Sequence, residues 1–324
     1  MIRHVIKRFI MAVPLLLAAT LVTFCVMQLT PGDPLGELKL NPQISPEIIE
    51  YYETTFRLND PVIIQYFAWL KNICRGDLGY SFSYHTPVRR LIASRAANTL
   101  LLSASTVFVT WLFVIPLGVL AVLSRDKLLD KILSFFSYLG ISTPSFFLAI
   151  VFLYAIYRVG VFPLGGMRSS GFEQLSAMGK FFDIAHHLVV PTLVLSLGSI
   201  ASLQRIMRAN LLEVMGSSYI YAARARGLSR TRILYVHALK NALNPMITIF
   251  GYQLSSLLSG AALTEIILGW PGLGQIMLDA VRKQDIYLVM GSVLISGIFL
   301  ICGNLIADIL LGLSDPRIRY EKTN

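Results

Sequence analysis

Residues 9–29, from Phe9 to Leu29, read FIMAVPLLLAATLVTFCVMQL, with no Lys, Arg, Asp or Glu among them. An α-helix rises about 1.5 Å per residue, so about 20 such residues cross the ~30 Å hydrocarbon core of a bilayer. A secretory signal has a shorter apolar region of roughly 7–15 residues and ends in a small-x-small cleavage site. Here the run continues into Thr30-Pro31-Gly32-Asp33-Pro34. The segment reads as an uncleaved first span, with Arg3, Lys7 and Arg8 before it.

Five further apolar runs follow: Asn98–Leu123, Ile132–Tyr157, Leu188–Met207, Met246–Leu268 and Tyr287–Leu311. The 324 residues are 55% hydrophobic and only 14% charged, against roughly 25% charged in a soluble domain. The fold class expected is all-α: a polytopic membrane protein of about six transmembrane helices, with an extracytoplasmic cap between the first and second. A net charge of +10 on a soluble face would suit nucleic acid. Here the charges lie between the spans, where topology explains them. Cys25 and Cys302 sit in apolar runs and behave as small hydrophobes, while Cys74 is alone in a long loop, so neither a disulfide framework nor a CxxC metal pair is expected.

Orientation follows from the basic residues beside the spans. With the N-terminus inside, the cytoplasmic segments hold Arg3, Lys7, Arg8, Arg125, Lys127, Lys131, Arg205, Arg208, Arg224, Arg226, Arg230, Arg232, Lys240, Arg317, Arg319 and Lys322. The remaining basic residues are spread over longer segments, which weigh little. The short Ser124–Lys131 turn decides it, and both termini are expected on the cytoplasmic side. The organisation expected is a tail and first span (1–29), an extracytoplasmic loop (30–97), a transmembrane core (98–313) containing a cytoplasmic loop (208–245), and a tail (314–324). Within 30–97, Ser45-Pro46-Glu47 marks a helix start, with Ser45 as N-cap and Pro46 at the first position. Pro61–Ile73 places Ile64, Phe67, Ala68 and Leu70 at helical spacing, and Pro87–Arg95 suggests an interfacial helix leading into the second span.

The loop 216–245, GSSYIYAARARGLSRTRILYVHALKNALNP, is too long and too punctuated for a plain connection. Tyr219–Arg226 reads as a short helix with small Ala222 and Ala223. Gly227 suits the left-handed position that ends a helix. Ser229 is a natural N-cap for a second helix, Arg230–Leu243, which stops at Asn244-Pro245. A basic loop can serve topology alone, but an inert tether does not need these signals in order. The expected unit is a helix across the membrane surface that passes a push from a cytoplasmic partner to the spans on either side.

Tyr221-Ala222-Ala223-Arg224-Ala225-Arg226-Gly227 resembles the E-A-A-x-x-x-G loop of permease subunits in binding-protein-dependent ABC importers, with Tyr221 where the pattern has Glu. With His237-Ala238-Leu239-Lys240-Asn241-Ala242-Leu243 behind it, the segment resembles the dipeptide/oligopeptide/nickel branch, which often lacks the Glu. The resemblance covers nearly the whole chain. It includes Thr30–Pro34, Gly76-Asp77-Leu78-Gly79-Tyr80-Ser81, Pro144-Ser145-Phe146-Phe147, Phe162-Pro163-Leu164-Gly165-Gly166, Thr264-Glu265, Trp270-Pro271-Gly272-Leu273-Gly274 and Asp315-Pro316-Arg317-Ile318-Arg319-Tyr320. It implies a multi-pass subunit of the bacterial inner membrane that moves dipeptides or oligopeptides, or, within the same family, nickel, glutathione or another small solute. It implies a second homologous permease as a heterodimer partner, two cytoplasmic ATPases that carry ATP and Mg, and an extracytoplasmic substrate-binding protein. It assigns the ATPase contact to Tyr221, Ala222, Ala223, Arg224, Arg226 and Gly227.

Polar groups inside spans are costly and so are candidate pathway residues: Asn98 with Thr99, Gln253, Glu265, Asn304 and Asp308. Each has a structural alternative. Asp308 is about one turn from a membrane face and can pair there, Asn304 can join helices, and Glu265 can cap the Trp-Pro-Gly turn. His186-His187 are adjacent, not at the i, i+4 spacing of two ligands on one helix face, so no metal site is expected. GxxxxGK[ST], HExxH and GxSxG are absent, so no enzyme is expected. The scarcity of carboxylates in the spans argues against the rival class, an ion-coupled secondary transporter. Pro116, Gly118, Pro144, Gly251, Gly260, Gly291 and Gly297 suggest bends and close helix contacts.

Overall fold

A computed structural model describes residues 2–33, 35–40, 42–260 and 262–314. Pro34 and the terminal segment 315–324, with Arg317, Arg319 and Lys322, lie outside the described residues. The described chain is almost wholly helical. Its strands are the two-residue β1 (Tyr80–Ser81) and β2 (Thr86–Pro87), paired antiparallel. By their internal contacts the described residues form two units, one of Leu101–Trp270 with residues 302–314, the other of Ile2–Leu100 with Pro271–Ile301.

Four helices carry stretches long and apolar enough to cross a membrane: Ile10–Leu29 within α1 (Ile2–Leu29), α5 (Val88–Leu123), α8 (Ala177–Met215), and Ile286–Leu310 within α15 (Ile286–Ser314). The 36 residues of α5 and 39 of α8 exceed the expected spans, at about 1.5 Å per residue against a ~30 Å core. Pro87–Arg95 is thus no separate interfacial helix; from Val88 it is the first part of α5. The third span, expected to be continuous, breaks into α6 (Leu128–Ser142) and α7 (Ser145–Val159), bent by 106°. The cause is Pro144, which cannot donate a helical hydrogen bond and pushes the residue before it out of the helical region. Thr143 accordingly sits at φ −102°, ψ 120°. The fifth run is α12 (Asn244–Gly260) followed by the short α13 (Ala262–Ile267).

In the unit containing α1, the small helix α2 (Gly36–Lys39) and α3 (Pro46–Thr55) precede α4 (Val62–Ile73). Ser45 has the extended backbone of an N-cap, but its hydroxyl bonds Glu47 and no helix amide. The core joins Phe24 and Met27 of α1, Tyr66 and Trp69 of α4, Val88 and Ile92 of α5, and Leu273, Ile276 and Ala280 of α14 (Leu273–Arg282) with Leu288–Met290 of α15. The buried residues of α4 are Gln65, Tyr66 and Trp69; of the Ile64, Phe67, Ala68 and Leu70 set read from spacing, Leu70 packs against this core while Ile64 and Phe67 are exposed. In an almost wholly apolar helix, spacing does not distinguish the side that meets protein from the side that meets lipid.

Asp285, just before α15, is fully buried. One carboxylate oxygen accepts the Ser81 hydroxyl (2.5 Å) and the Ser83 amide (3.1 Å), and the other caps α15 by accepting the Leu288 amide (3.2 Å). Burial raises its pKa above the usual carboxylate value; the hydrogen bonds from Ser81, Ser83 and Leu288 pull the other way without cancelling it.

In the other unit, α8 is the central helix. Leu203, Met207 and Leu211 of α8 pack with Val114 and Val119 of α5 and with the loop that follows α8. A Cβ at Gly251 of α12 would overlap Ala307 of α15, so those two helices meet backbone to backbone. Arg208 holds Asp130 through two parallel bonds, Nε to Oδ1 at 2.8 Å and Nη2 to Oδ2 at 2.6 Å, tying the start of α6 to α8.

Candidate docking loop and intramembrane polar groups

The loop after α8 folds as its punctuation predicts, with one addition. Ser217 precedes α9 (Ser218–Ala225) with extended backbone. Gly227 follows at φ +77°. The Gly227 amide reaches the Arg224 carbonyl (2.9 Å) and the Leu228 amide reaches the Ala223 carbonyl (3.3 Å), the two-bond closure of a glycine-terminated helix. Ser229 caps the next turn, its hydroxyl accepting the Arg232 amide at 3.3 Å. The second helix is not uniform. It begins as α10 (Arg230–Arg232), widens to a π-helical stretch at Ile233–Ala238, and resumes as α11 (Leu239–Ala242). In an α-helix, residues i and i+5 lie about 140° apart; the wider π turn brings them nearer one face. Ile233, Leu234 and Ala238 are thereby all buried in the cluster with Met207 and Leu211.

Ile220 is the anchor of α9, fully buried in that cluster. The opposite face is open: Tyr221 is 58% exposed, and Ala222, Arg224, Arg226 and Gly227 are exposed with it. The Arg224 guanidinium lies 5.5 Å from the Tyr221 ring centre. Ala223 differs from its neighbours, being half-buried against its own chain's core. Space beside Gly227 is empty within 4 Å, so its backbone conformation, and no crowding, calls for glycine. A clamp ties α9 to α11. The Asn241 amide donates to the Tyr219 hydroxyl (2.7 Å) and to the His237 carbonyl (3.1 Å). Exposed Tyr235 and Val236 extend the apolar part of the surface. Nothing in the linear spacing foretold the clamp, because Tyr219 and Asn241 lie 22 residues apart.

Asn98 and Thr99 on α5 are both engaged with the turn that starts α14. The Asn98 amide donates to the Pro271 carbonyl (2.8 Å) and the Thr99 hydroxyl accepts the Leu273 amide (2.8 Å). Gln253 on α12 is buried. Its oxygen accepts the Trp111 indole N–H at 2.8 Å, and its amide nitrogen has no partner among the described residues. Glu265 is 1% exposed, and the Glu265 carbonyl accepts the Trp270 amide at 2.8 Å. Asn304 and Asp308 are half-buried on α15 and engaged within the protein. His187 contacts the Asp183 carbonyl of its own helix at 2.8 Å and His186 the Val161 carbonyl at 3.1 Å.

The sequence also concealed a row of hydroxyls. Ser103, Thr106 and Thr110 of α5 are fully buried and without hydrogen-bond partners among the described residues. Their i, i+3, i+7 spacing puts them on one face of α5. Each unpaired buried hydroxyl costs about 1–3 kcal/mol. Among apolar neighbours in a span they look like ordinary helix residues, and only their burial marks them.

Residues 114–320 match the family model described as binding-protein-dependent transport system inner membrane component, and residues 1–103 match the N-terminal model of such membrane components. The chain is 38% identical over 322 residues to the oligopeptide transport system permease protein AppB of Bacillus subtilis (strain 168), covering 99% of this chain and all of that one. It is 33% identical over 340 residues to the dipeptide transport system permease protein DppB of Escherichia coli (strain K12), again 99% of this chain and 100% of the relative. The di/tripeptide transport system permease protein DppB of Pseudomonas aeruginosa (strain UCBPP-PA14) is 33% identical over 341 residues, with 99% and 100% covered. Among solved structures, an inward-facing form of the MetNI methionine ABC transporter matches with a TM-score of 0.51 at 20% identity, over 68% of this chain and 97% of that one, a likeness of fold.

Proposed function

This chain belongs to the binding-protein-dependent transport system inner membrane components, and on that premise we propose that the solute it carries is a short peptide. It is a multi-pass permease subunit of an ABC importer, which works with ATPase and binding-protein components. The observation that carries the peptide reading is end-to-end similarity to permeases named for oligopeptide, dipeptide and di/tripeptide transport.

The complete importer contains a second, homologous permease as heterodimer partner, two ATPases that bind ATP and Mg, and an external substrate-binding protein. Both termini of this chain face the cytoplasm. The exposed face of α9, with Tyr221, Ala222, Arg224, Arg226 and Gly227, seats in an ATPase subunit, while Ala223 and Ile220 fix the helix to its own core. Closure of the ATPases moves α9. The Tyr219–Asn241 clamp and the packing of Ile233, Leu234 and Ala238 on α8 carry that movement to the spans on either side. Gln253, Ser103, Thr106 and Thr110 line the route, where hydroxyls and an amide that lack partners at rest bond a peptide or its water as it passes. Glu265, Asn304 and Asp308 belong to the same route, and Asn98 acts on it by holding the turn at Pro271.

The test is competition for uptake by the complex assembled with its co-encoded neighbours. Labelled dipeptide should accumulate and unlabelled di- and tripeptides should suppress it. Uptake of nickel or glutathione with indifference to peptide would replace the substrate assignment and leave the permease membership intact.

A further inference from the structure

We propose that the segment between α1 and α5 holds an anionic phospholipid, with its phosphate on Lys71, Arg75 and Arg57 and its acyl chains along the outward face of α4. The first observation is depth. The Tyr66 hydroxyl donates to the Leu17 carbonyl (3.0 Å) and lies 3.0 Å from the Thr20 hydroxyl, while Gln65 accepts from Gln28 at 3.1 Å. These contacts run from Leu17 to Gln28, a rise of 11 residues at the end of the α1 span, which closes at Leu29. At about 1.5 Å per residue, they cover roughly half of a ~30 Å hydrocarbon core. α4 therefore lies beside the span in the leaflet opposite the N-terminus.

The second observation is the face that α4 turns outward. Ile63 is 67% and Phe67 63% exposed, with Val62 and Ile64 also exposed. Such a stripe on a short helix at this depth fits acyl chains and does not fit water.

The third is the pocket at the far end of the helix, about 560 Å³ in volume, lined by Arg57, Phe67, Lys71, Arg75, Asp77 and Tyr287. Tyr287 is the second residue of α15, so the pocket stands at the end of a span, at headgroup level. Three cations face one carboxylate, and that carboxylate is engaged by the Gly79 amide (2.9 Å). Arg57 meets Asp60 only at 3.9 Å. Among the described residues no carboxylate pairs with Lys71 or Arg75. Ile64 and Phe67 belong both to the pocket wall and to the outward stripe. That continuity of cationic rim and apolar track selects a lipid over a free anion, because only a lipid presents a phosphate and acyl chains together.

The complex extracted from membranes containing phosphatidylglycerol and phosphatidylethanolamine is examined by native mass spectrometry, as the wild type, K71Q/R75Q, and the charge-matched control R89Q/R90Q at two exposed residues of α5. Two cations near a membrane surface each contribute about a fivefold preference for acidic lipid, so K71Q/R75Q should lower retained phosphatidylglycerol by about twenty-five-fold. The control and the wild type should retain it alike, and added inorganic phosphate should not displace it. Equal retention in K71Q/R75Q, equal loss in the control, displacement by inorganic phosphate, or displacement by a dipeptide would each overturn the proposal. Unchanged thermal midpoints across the set show that the variants remain folded.

Discussion

Asp285 illustrates how one side chain can connect distant segments. It caps α15 and at the same time accepts from Ser81 and Ser83, about two hundred residues earlier. Because burial holds its pKa above the ordinary value, the folded state binds its proton more tightly than the unfolded chain does. Its contribution to stability is therefore full below the unfolded pKa and falls as pH rises through the raised folded pKa. D285N, which cannot titrate and turns an amide toward donors, should be destabilising, with a penalty that grows as the pH is lowered toward 4. Thermal midpoints of the pair across pH check this, and a penalty that shrinks on acidification would reverse the assigned direction. At the α9–α11 clamp, Y219F removes the acceptor of the Asn241 amide. The expected cost in stability is small, about 1 kcal/mol or less for a partly solvated hydrogen bond. Peptide uptake per ATP hydrolysed should fall several-fold if the clamp transmits force, and Asn241→Ala should behave the same way. Gly251→Leu should be far harsher, because α12 and α15 meet there without room for a Cβ, and overpacking costs about 1–3 kcal/mol or more.

Helix starts and stops were readable wherever a backbone requirement has a residue signature. Gly227, Ser229 and Pro46 stand where the sequence put them, since a left-handed end, an N-cap and a first-turn proline each select few residue types. Two features were not readable. The π-helical stretch depends on Ile233, Leu234 and Ala238 finding one core, which is a tertiary fact. The lipid-facing side of α4 could not be told from its buried side because both are apolar. The break at Pro144 was present in the sequence as a proline inside a span, but a proline can also kink a span gently, and only the extended Thr143 shows the chain turning by 106°. Pro144→Ala removes the restriction on Thr143 and should let α6 and α7 straighten. In a background with exposed Cys25, Cys74 and Cys302 replaced, spin labels at positions 135 and 154 should move apart by roughly 10 Å. An unchanged distance would assign the bend to tertiary packing.

At the scale of the whole chain, class and membership were legible because they rest on redundant signals: apolar runs, their lengths, and a series of short motifs in order. The candidate site was legible in part. Tyr221, Ala222, Arg224, Arg226 and Gly227 lie on one exposed surface, but Ala223 turns inward, and Asn98 holds a turn of its own chain. The hydroxyls of Ser103, Thr106 and Thr110 carry no mark in the sequence, because nothing there separates a buried, unpartnered hydroxyl from one bonded to its own helix. ATPase closure acting on this permease through α9, as proposed, makes a definite demand on energy coupling. The most direct measurement is uptake of a labelled dipeptide into proteoliposomes holding the full complex and its binding protein, with ATP supplied to the ATPases, for wild type and Gly227→Val. A β-branched residue at φ +77° cannot keep the closure of α9 without strain. The account predicts ATP-dependent uptake by the wild type, and a variant that inserts normally and hydrolyses ATP while accumulating no peptide. Undiminished uptake by the variant, or wild-type uptake driven by an ion gradient without ATP, would contradict it.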